Sequence, residues 1–272
     1  MTLQDLAWHR AVGQLIERLD QPGFWLALSR LLQDYVPADS WVVLLFDQGR
    51  PRVFAESVYE GGGSDPLYGD YLQGLYLLDP FYIASREHPG SGLVRLADVA
   101  PECFEQTDYY RLYFTHNVVA DEVQFNAQLD GERTLCLSLG SKCRFTPEQI
   151  AVLELIRPWV IALMRQRMAF EPPAETQTAE GGLEAAMQHL GAGLTSREVD
   201  VVRLMLAGCS NKEVARKLDI SAETVKVHRR HLYAKLAIKS QSELFALFIR
   251  TQAPRLAGAS ASLKDDDSRS GS

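Results

Sequence analysis

Residues 194–249 read LTSREVDVVRLMLAGCSNKEVARKLDISAETVKVHRRHLYAKLAIKSQSELFALFI, and the placement of Thr, Ser, Gly and Asp divides this stretch into helices. Thr195-Ser196-Arg197-Glu198 has the form of a capping box, in which the Thr hydroxyl takes one orphan amide of the first turn and the Glu carboxylate returns to another. Val199, Val202, Leu204 and Leu206 follow, and Gly208 stops the helix. Ser210-Asn211-Lys212-Glu213 is a second capping box, opening a short helix through Leu218. Asp219-Ile220-Ser221 is a three-residue turn, with Ser221 as the cap of a third helix that runs to about Leu236. Two short helices joined by a tight turn are the grammar of a helix-turn-helix.

In that motif the second of the paired helices enters the major groove of DNA. Helical spacing sorts its residues here. Val225, His228, Leu232 and Leu236 form an inward stripe, in which His228 is read as a packing histidine. Lys226, Val227 and Arg230 share another face, with Arg229 and His231 at its margins. Arg and Lys suit guanine edges or phosphate, and a Val methyl packs against a thymine methyl. Charge supports this reading. The whole chain carries −7, yet residues 191–255 hold twelve Lys/Arg against six Asp/Glu, while residues 1–190 hold 14 against 26. A basic module on an acidic body is the asymmetry expected of a nucleic-acid partner.

The module resembles the C-terminal helix-turn-helix of LuxR/FixJ-type bacterial transcription regulators. The resemblance rests on Leu194-Thr195-x-Arg197-Glu198, Gly208-x-Ser210-Asn211-Lys212-Glu213-Val214-Ala215, Leu218-x-Ile220-Ser221, Thr224-Val225-Lys226-x-His228 and Lys235-Leu236. It implies an all-α domain of four helices that binds double-stranded DNA. By position, Lys226, Val227 and Arg230 match the base-contacting sites, and Lys212, Thr224 and Arg229 match phosphate contacts. A fourth helix, Gln241 to Thr251, would pair with its copy in a homodimer through Leu244, Leu247 and Phe248, or bury these residues in its own domain. RNA polymerase is the further partner implied.

The remaining sequence mixes element types. Leu3–Leu19 and Phe24–Tyr35 have helical periodicity. Trp41–Asp47 and Arg52–Tyr59 read as one hairpin, and Glu122–Leu129 and Arg133–Gly140 as another around Asp130-Gly131. A long helix over Phe145–Phe170 is opened by Thr146-Pro147-Glu148, with Pro at the first helical position. These elements predict an α+β domain with a mainly antiparallel sheet over residues 1–170. A linker follows at 171–190, then the helix-turn-helix domain at 191–256 and a disordered tail at 257–272.

Residues 65–114 concentrate seven of the ten Tyr, including YGDYLQGLYLLDPFY and YYRLYF. Such residues either line a cavity for a small ligand or cover a sheet face; the candidates are Tyr71, Tyr76, Tyr82, Tyr109 and Tyr113. The segment Tyr76-Leu77-Leu78-Asp79-Pro80-Phe81-Tyr82 is similar to the tyrosine-and-Asp-Pro element of autoinducer-binding LuxR domains, where the Asp accepts a hydrogen bond from the ligand amide. The resemblance implies a GAF/PAS-like sensor and makes Asp79 the leading pocket residue. Asp79 can equally cap a helix that has Pro80 at its first position. Glu122 is a further pocket candidate or a solvated strand end. That family places a Trp and a Tyr about a dozen residues before the Asp. Pro66–Tyr71 has tyrosines only, so the ligand expected is a polar-aromatic or amide-bearing metabolite rather than an acyl-homoserine lactone.

Other classes find no support in the residues. A phospho-acceptor receiver would need acidic residues on a parallel α/β pattern. No GxGxxG, Walker or G-x-S-x-G element occurs, no metal-ligand spacing is present, and neither catalytic residues nor a cofactor is expected. The start MTLQDLAWHRAVGQL lacks a basic n-region, and no apolar run approaches about 18 residues, which predicts a soluble cytoplasmic chain without membrane contact. Cys103, Cys136, Cys143 and Cys209 read as ordinary thiols, although Cys136 and Cys143 could flank a hairpin. The function expected is a transcription regulator in which a small molecule bound to residues 1–170 controls a dimeric helix-turn-helix on a pseudo-palindromic site. The alternative keeps the DNA module and makes the first domain a ligand-free dimerisation or protein-interaction platform.

Overall fold

The structure, a computed structural model, describes residues 6–46, 51–57, 71–72, 74–117, 120–172 and 193–252. The expected tail, most of the expected linker and residues 66–70 lie outside these. Two compact units form, the first drawn from 1–68, 80–100 and 111–179, the second from 69–79, 101–110 and 180–272.

The first unit is built on a five-stranded sheet in the order β2-β1-β5-β4-β3, with every neighbouring pair antiparallel. Its strands are β1 (Ser40–Phe46), β2 (Arg52–Glu56), β3 (Gly92–Arg95), β4 (Asp121–Gln128) and β5 (Thr134–Ser141). Both hairpins expected from the sequence form, β1 with β2 and β4 with β5. β3 adds an edge strand that four residues of sequence were too short to signal. Asp130 closes the second turn by accepting the amides of Glu132 and Arg133 through Oδ1, the local bonding that makes Asp a turn residue.

Side chains alternate across a strand, so each strand offers two faces. One face carries Trp41, Val43, Leu45, Val123, Phe125, Ala127, Leu135, Leu137 and Leu139. Against it lie α1 (Leu6–Glu17) through Leu15, α2 (Phe24–Gln33) through Phe24 and Leu28, and α6 (Pro147–Arg167) through Leu153, Ile156, Val160 and Met164. α6 starts where Thr146 accepts the Gln149 amide and the Gln149 side chain accepts the Thr146 amide, with Pro147 at the first helical position. At its other end buried Arg167 donates to Glu171 at 2.8 Å and to the carbonyls of Leu19 and Gln21, while Glu171 also accepts from Trp25 Nε1 at 2.7 Å. The two carbonyl bonds of Arg167 thereby tie the end of α6 to the loop between α1 and α2.

The opposite face is also buried. β5 reads TLCLSLGS, an alternation that ordinarily marks one wet face, yet all eight residues are buried. Leu44, Phe46, Gln124, Asn126, Cys136 and Ser138 make up this second face. Tyr82 of α3 (Pro80–Glu87) meets Phe46 edge to face at 5.0 Å, which seats α3 on that side; the short helices α4 (Leu96–Val99) and α5 (Thr115–Asn117) follow it in the chain.

The second unit contains α7 (Ser196–Leu206), α8 (Asn211–Leu218), α9 (Ala222–Lys235) and α10 (Gln241–Gln252). Thr195 and Ser210 each form a complete capping box, and Ser221 caps α9. Gly208 takes φ 91°, and the amides of Gly208 and Cys209 return to Met205 and Leu204. This is the glycine-terminated helix end that the sequence implied. Val201, Val202, Val214, Val225, Leu232, Leu244 and Phe248 are fully buried in this unit.

Candidate nucleic-acid interface and sensor site

The caps fix where α8 and α9 begin, and the turn between them sets which face of α9 turns outward. Asp219 sits in the left-handed region at φ 51°, a conformation that Asp tolerates better than most residues. Lys226, Val227 and Arg230 are exposed on α9, Val227 at 41 %, while Val225 and Leu232 point inward and His228 is half-buried. Lys226 Nζ lies 2.7 Å from Glu223 in a solvent-exposed pair; a phosphate or base edge could replace that carboxylate at small cost. Arg229 donates to Asn211 Oδ1 at 2.8 Å and rests 5.9 Å from the Tyr233 ring. This contact places the start of α8, with exposed Lys212, beside α9. Thr224 donates its amide to Ser221 and shares a hydroxyl contact of 2.8 Å with it.

Behind this surface Glu198 fixes the scaffold. Its carboxylate accepts from Lys235 Nζ at 2.6 Å and from the Thr195 amide and hydroxyl. The Lys235 bond, followed by the Thr195 amide, holds the Glu198 carboxyl down to about 2. Of the fourth-helix residues, Leu244 and Phe248 are fully buried within the single chain and Leu247 is half-buried.

The sensor candidates fall into separate groups. In the second unit Tyr71 donates its hydroxyl to Asp79 at 2.6 Å; Tyr71 and Tyr76 are ring neighbours at 6.3 Å, and all three are buried. Asp79 also directly precedes α3, whose first residue is Pro80. Tyr109 is buried beside Phe104 at 6.1 Å. In the first unit Tyr82 packs on Phe46, Tyr113 is buried, and Glu122 accepts from Ser138 Oγ.

Two residues of that region escaped the sequence reading. Gln124 and Asn126 are 2 % and 4 % exposed on the second face of β4, and Gln124 Oε1 and Asn126 Oδ1 have no hydrogen-bond partner among the described residues. They sit opposite Ser138 and Cys136 in the register. The strand DEVQFNAQ gave no warning, because its alternation is that of any half-exposed strand. A surface groove of about 260 Å³ between α1 and α2, lined by Ala11, Leu15, Arg18, Leu26 and Arg30, includes none of the candidates. Among the described residues no His/Cys/Asp/Glu cluster could hold a metal, and no helix is long and apolar enough to cross a membrane.

The family described as bacterial regulatory proteins, luxR family, matches residues 192–248. An HTH-type transcriptional regulator of the exeN 3′ region of Aeromonas salmonicida is 31 % identical over 183 residues, covering 63 % of this chain and 93 % of that one. The chain belongs to the LuxR family of bacterial transcriptional regulators. It is thus a DNA-binding regulator and not an enzyme. The monoamine regulon transcriptional regulator of Klebsiella aerogenes is 27 % identical over 182 residues, or 66 % of this chain and 72 % of that one. The crystal structure of the VqsR LBD domain from Pseudomonas aeruginosa is similar at 52 % identity and a TM-score of 0.58, covering 62 % of this chain and all of that domain.

Proposed function

We propose that this LuxR-family regulator is a cytoplasmic homodimer in which residues 1–170 form a GAF/PAS-like sensor, 171–190 a linker, 191–256 the DNA-binding domain and 257–272 a disordered tail. A small molecule bound by the sensor controls how two copies of α9 engage a pseudo-palindromic promoter site, where RNA polymerase is the further partner. Lys226, Val227 and Arg230 read bases; Lys212, Thr224 and Arg229 hold phosphate. Half-buried Leu247 belongs to the dimer contact, whereas Leu244 and Phe248, also candidates for it, fill the core of their own domain.

The observation that carries the ligand reading is the buried polar face of the sheet. An amide oxygen buried without a partner costs roughly 1–3 kcal/mol, and Gln124 and Asn126 each contribute one. A ligand that donates hydrogen bonds would remove that cost. The named LBD domain of VqsR, half identical to this chain over 62 % of its length, supports the same reading. Asp79 and Tyr71, Tyr76, Tyr82, Tyr109, Tyr113 and Glu122 remain the candidate ligand contacts. A ligand that binds only the folded state raises its melting temperature by mass action, so the test is a thermal-shift screen of the intact protein against amide-bearing and polar-aromatic metabolites. A hit seated on the sheet is expected to lose its shift in Asn126→Leu, a hit seated beside Tyr71 to lose it in Asp79→Asn, and either to change retardation of promoter DNA. A folded protein that no compound stabilises supports the interaction-platform reading instead.

A further inference from the structure

Residues Pro101–Tyr110 form a strap within the second compact unit, packed on the helix-turn-helix scaffold. The Cys103 amide donates to the Gly208 carbonyl at 3.0 Å. The Glu102 amide reaches both carboxylate oxygens of Glu213 at 3.2 and 3.3 Å, and Ser242 Oγ donates to Asp108 at 3.3 Å. A Cβ on Gly208 would lie 2.7 Å from Thr107 Cγ2 and 3.1 Å from Phe104 Cα, so the strap is pressed against the chain at that glycine. These contacts hold it at the end of α7, the start of α8 and the start of α10.

This seating brings two thiols together that are 106 positions apart in sequence. Cys209 directly follows Gly208, whose carbonyl receives the Cys103 amide. Covalent bond lengths plus that one hydrogen bond keep the two Cα atoms within about 7 Å, against a usual span of roughly 4.4–6.8 Å for a disulfide. Both cysteines are partly exposed. The pair suggested by sequence does not compare: Cys136 is fully buried in β5 and Cys143 lies beyond the strand's end. The five extended steps from Cys136 to the strand's end at Ser141 already span roughly 16 Å.

We propose that Cys103 and Cys209 are an oxidisable pair that a peroxide converts to an intramolecular disulfide, tying the strap to the helix-turn-helix. One thiolate attacks the peroxide; its S–O bond forms as the O–O bond breaks, and water or an alcohol leaves with a proton taken from solution. The second thiolate attacks the resulting sulfenic sulfur, forming S–S and expelling hydroxide, which is protonated to water. Two electrons pass from the sulfurs to the peroxide. In a reducing compartment such bonds are transient and signalling rather than structural. Glu213, which receives the Glu102 amide of the strap, lies two residues, about 200°, around α8 from Asn211, the partner of Arg229.

The test uses the intact, reduced protein treated with hydrogen peroxide, followed by alkylation of the remaining thiols, digestion and mass spectrometry. The expected result is the loss of two thiols per chain, a Cys103 peptide joined to a Cys209 peptide, reversal by dithiothreitol and a raised melting temperature. The linked peptide vanishes in Cys103→Ser and in Cys209→Ser and persists in Cys136→Ser and Cys143→Ser. The proposal is overturned if both thiols stay alkylatable, if either is oxidised singly to the sulfinic acid, or if the bonds formed involve Cys143 or join separate chains.

Discussion

At Arg230 and Lys212 exposure and chemistry point to different kinds of DNA contact. A guanidinium can bind guanine O6 and N7 together, whereas a lysine at the start of α8 meets phosphate as a point charge. Arg230→Ala is expected to weaken specific binding by about 1–3 kcal/mol and to relax discrimination at one base pair, while Lys212→Ala weakens all sequences alike and lowers the salt slope by about one. Fluorescence anisotropy on operator and scrambled duplexes over a salt series separates the two. Arg167 makes the other residue-level case. Its side chain and that of Glu171 are 9 % and 10 % exposed, so Arg167→Ala leaves a carboxylate nearly buried beside Trp25. The expected loss is about 3–5 kcal/mol by urea unfolding, and replacing both partners with Leu recovers most of it.

At the scale of elements, α7 and α9 are joined by the Glu198–Lys235 bond, and this has a pH signature. The Glu198 carboxyl falls from an ordinary 4.5 to about 2 in the folded state. A depressed carboxyl stabilises the fold fully above the unfolded value and loses that contribution as pH drops through the folded one. Stability of the second unit should therefore decline between about pH 4.5 and 2, and Glu198→Gln should flatten that slope in acid titrations followed by circular dichroism. The capping boxes of α7 and α8 were legible because their signal is local, three residues long and chemically specific. β3 was not, since its pairing with β4 comes from 28 to 34 residues away and four residues carry no period of their own.

For the molecule as a whole, the proposed dimer makes a geometric prediction. Two copies of α9 related by a two-fold axis must meet half-sites one helical turn, about 10 base pairs, apart or multiples of it. Inserting about 5 base pairs between half-sites should lower affinity at least tenfold in gel retardation, because it puts the second half-site on the opposite side of the duplex; a monomeric binder would ignore the insertion.

The helix-turn-helix, the two hairpins and the long α6 were legible along the chain, because caps, the Asp130-Gly131 turn and Pro at a helix start act through bonds between near neighbours. The sequence also nominated the outward residues of α9, since a period of 3.6 residues fixes which side chains share a face. Tertiary structure decided the rest. Alternation in β4 and β5 announced two faces, but only packing revealed that both are buried and that Gln124 and Asn126 belong inside. Tyr71 became the partner of Asp79, and Cys103 the neighbour of Cys209, through chain segments that meet only when folded. Such long-range proximity leaves no trace in local propensity, because no residue within a few positions takes part in it.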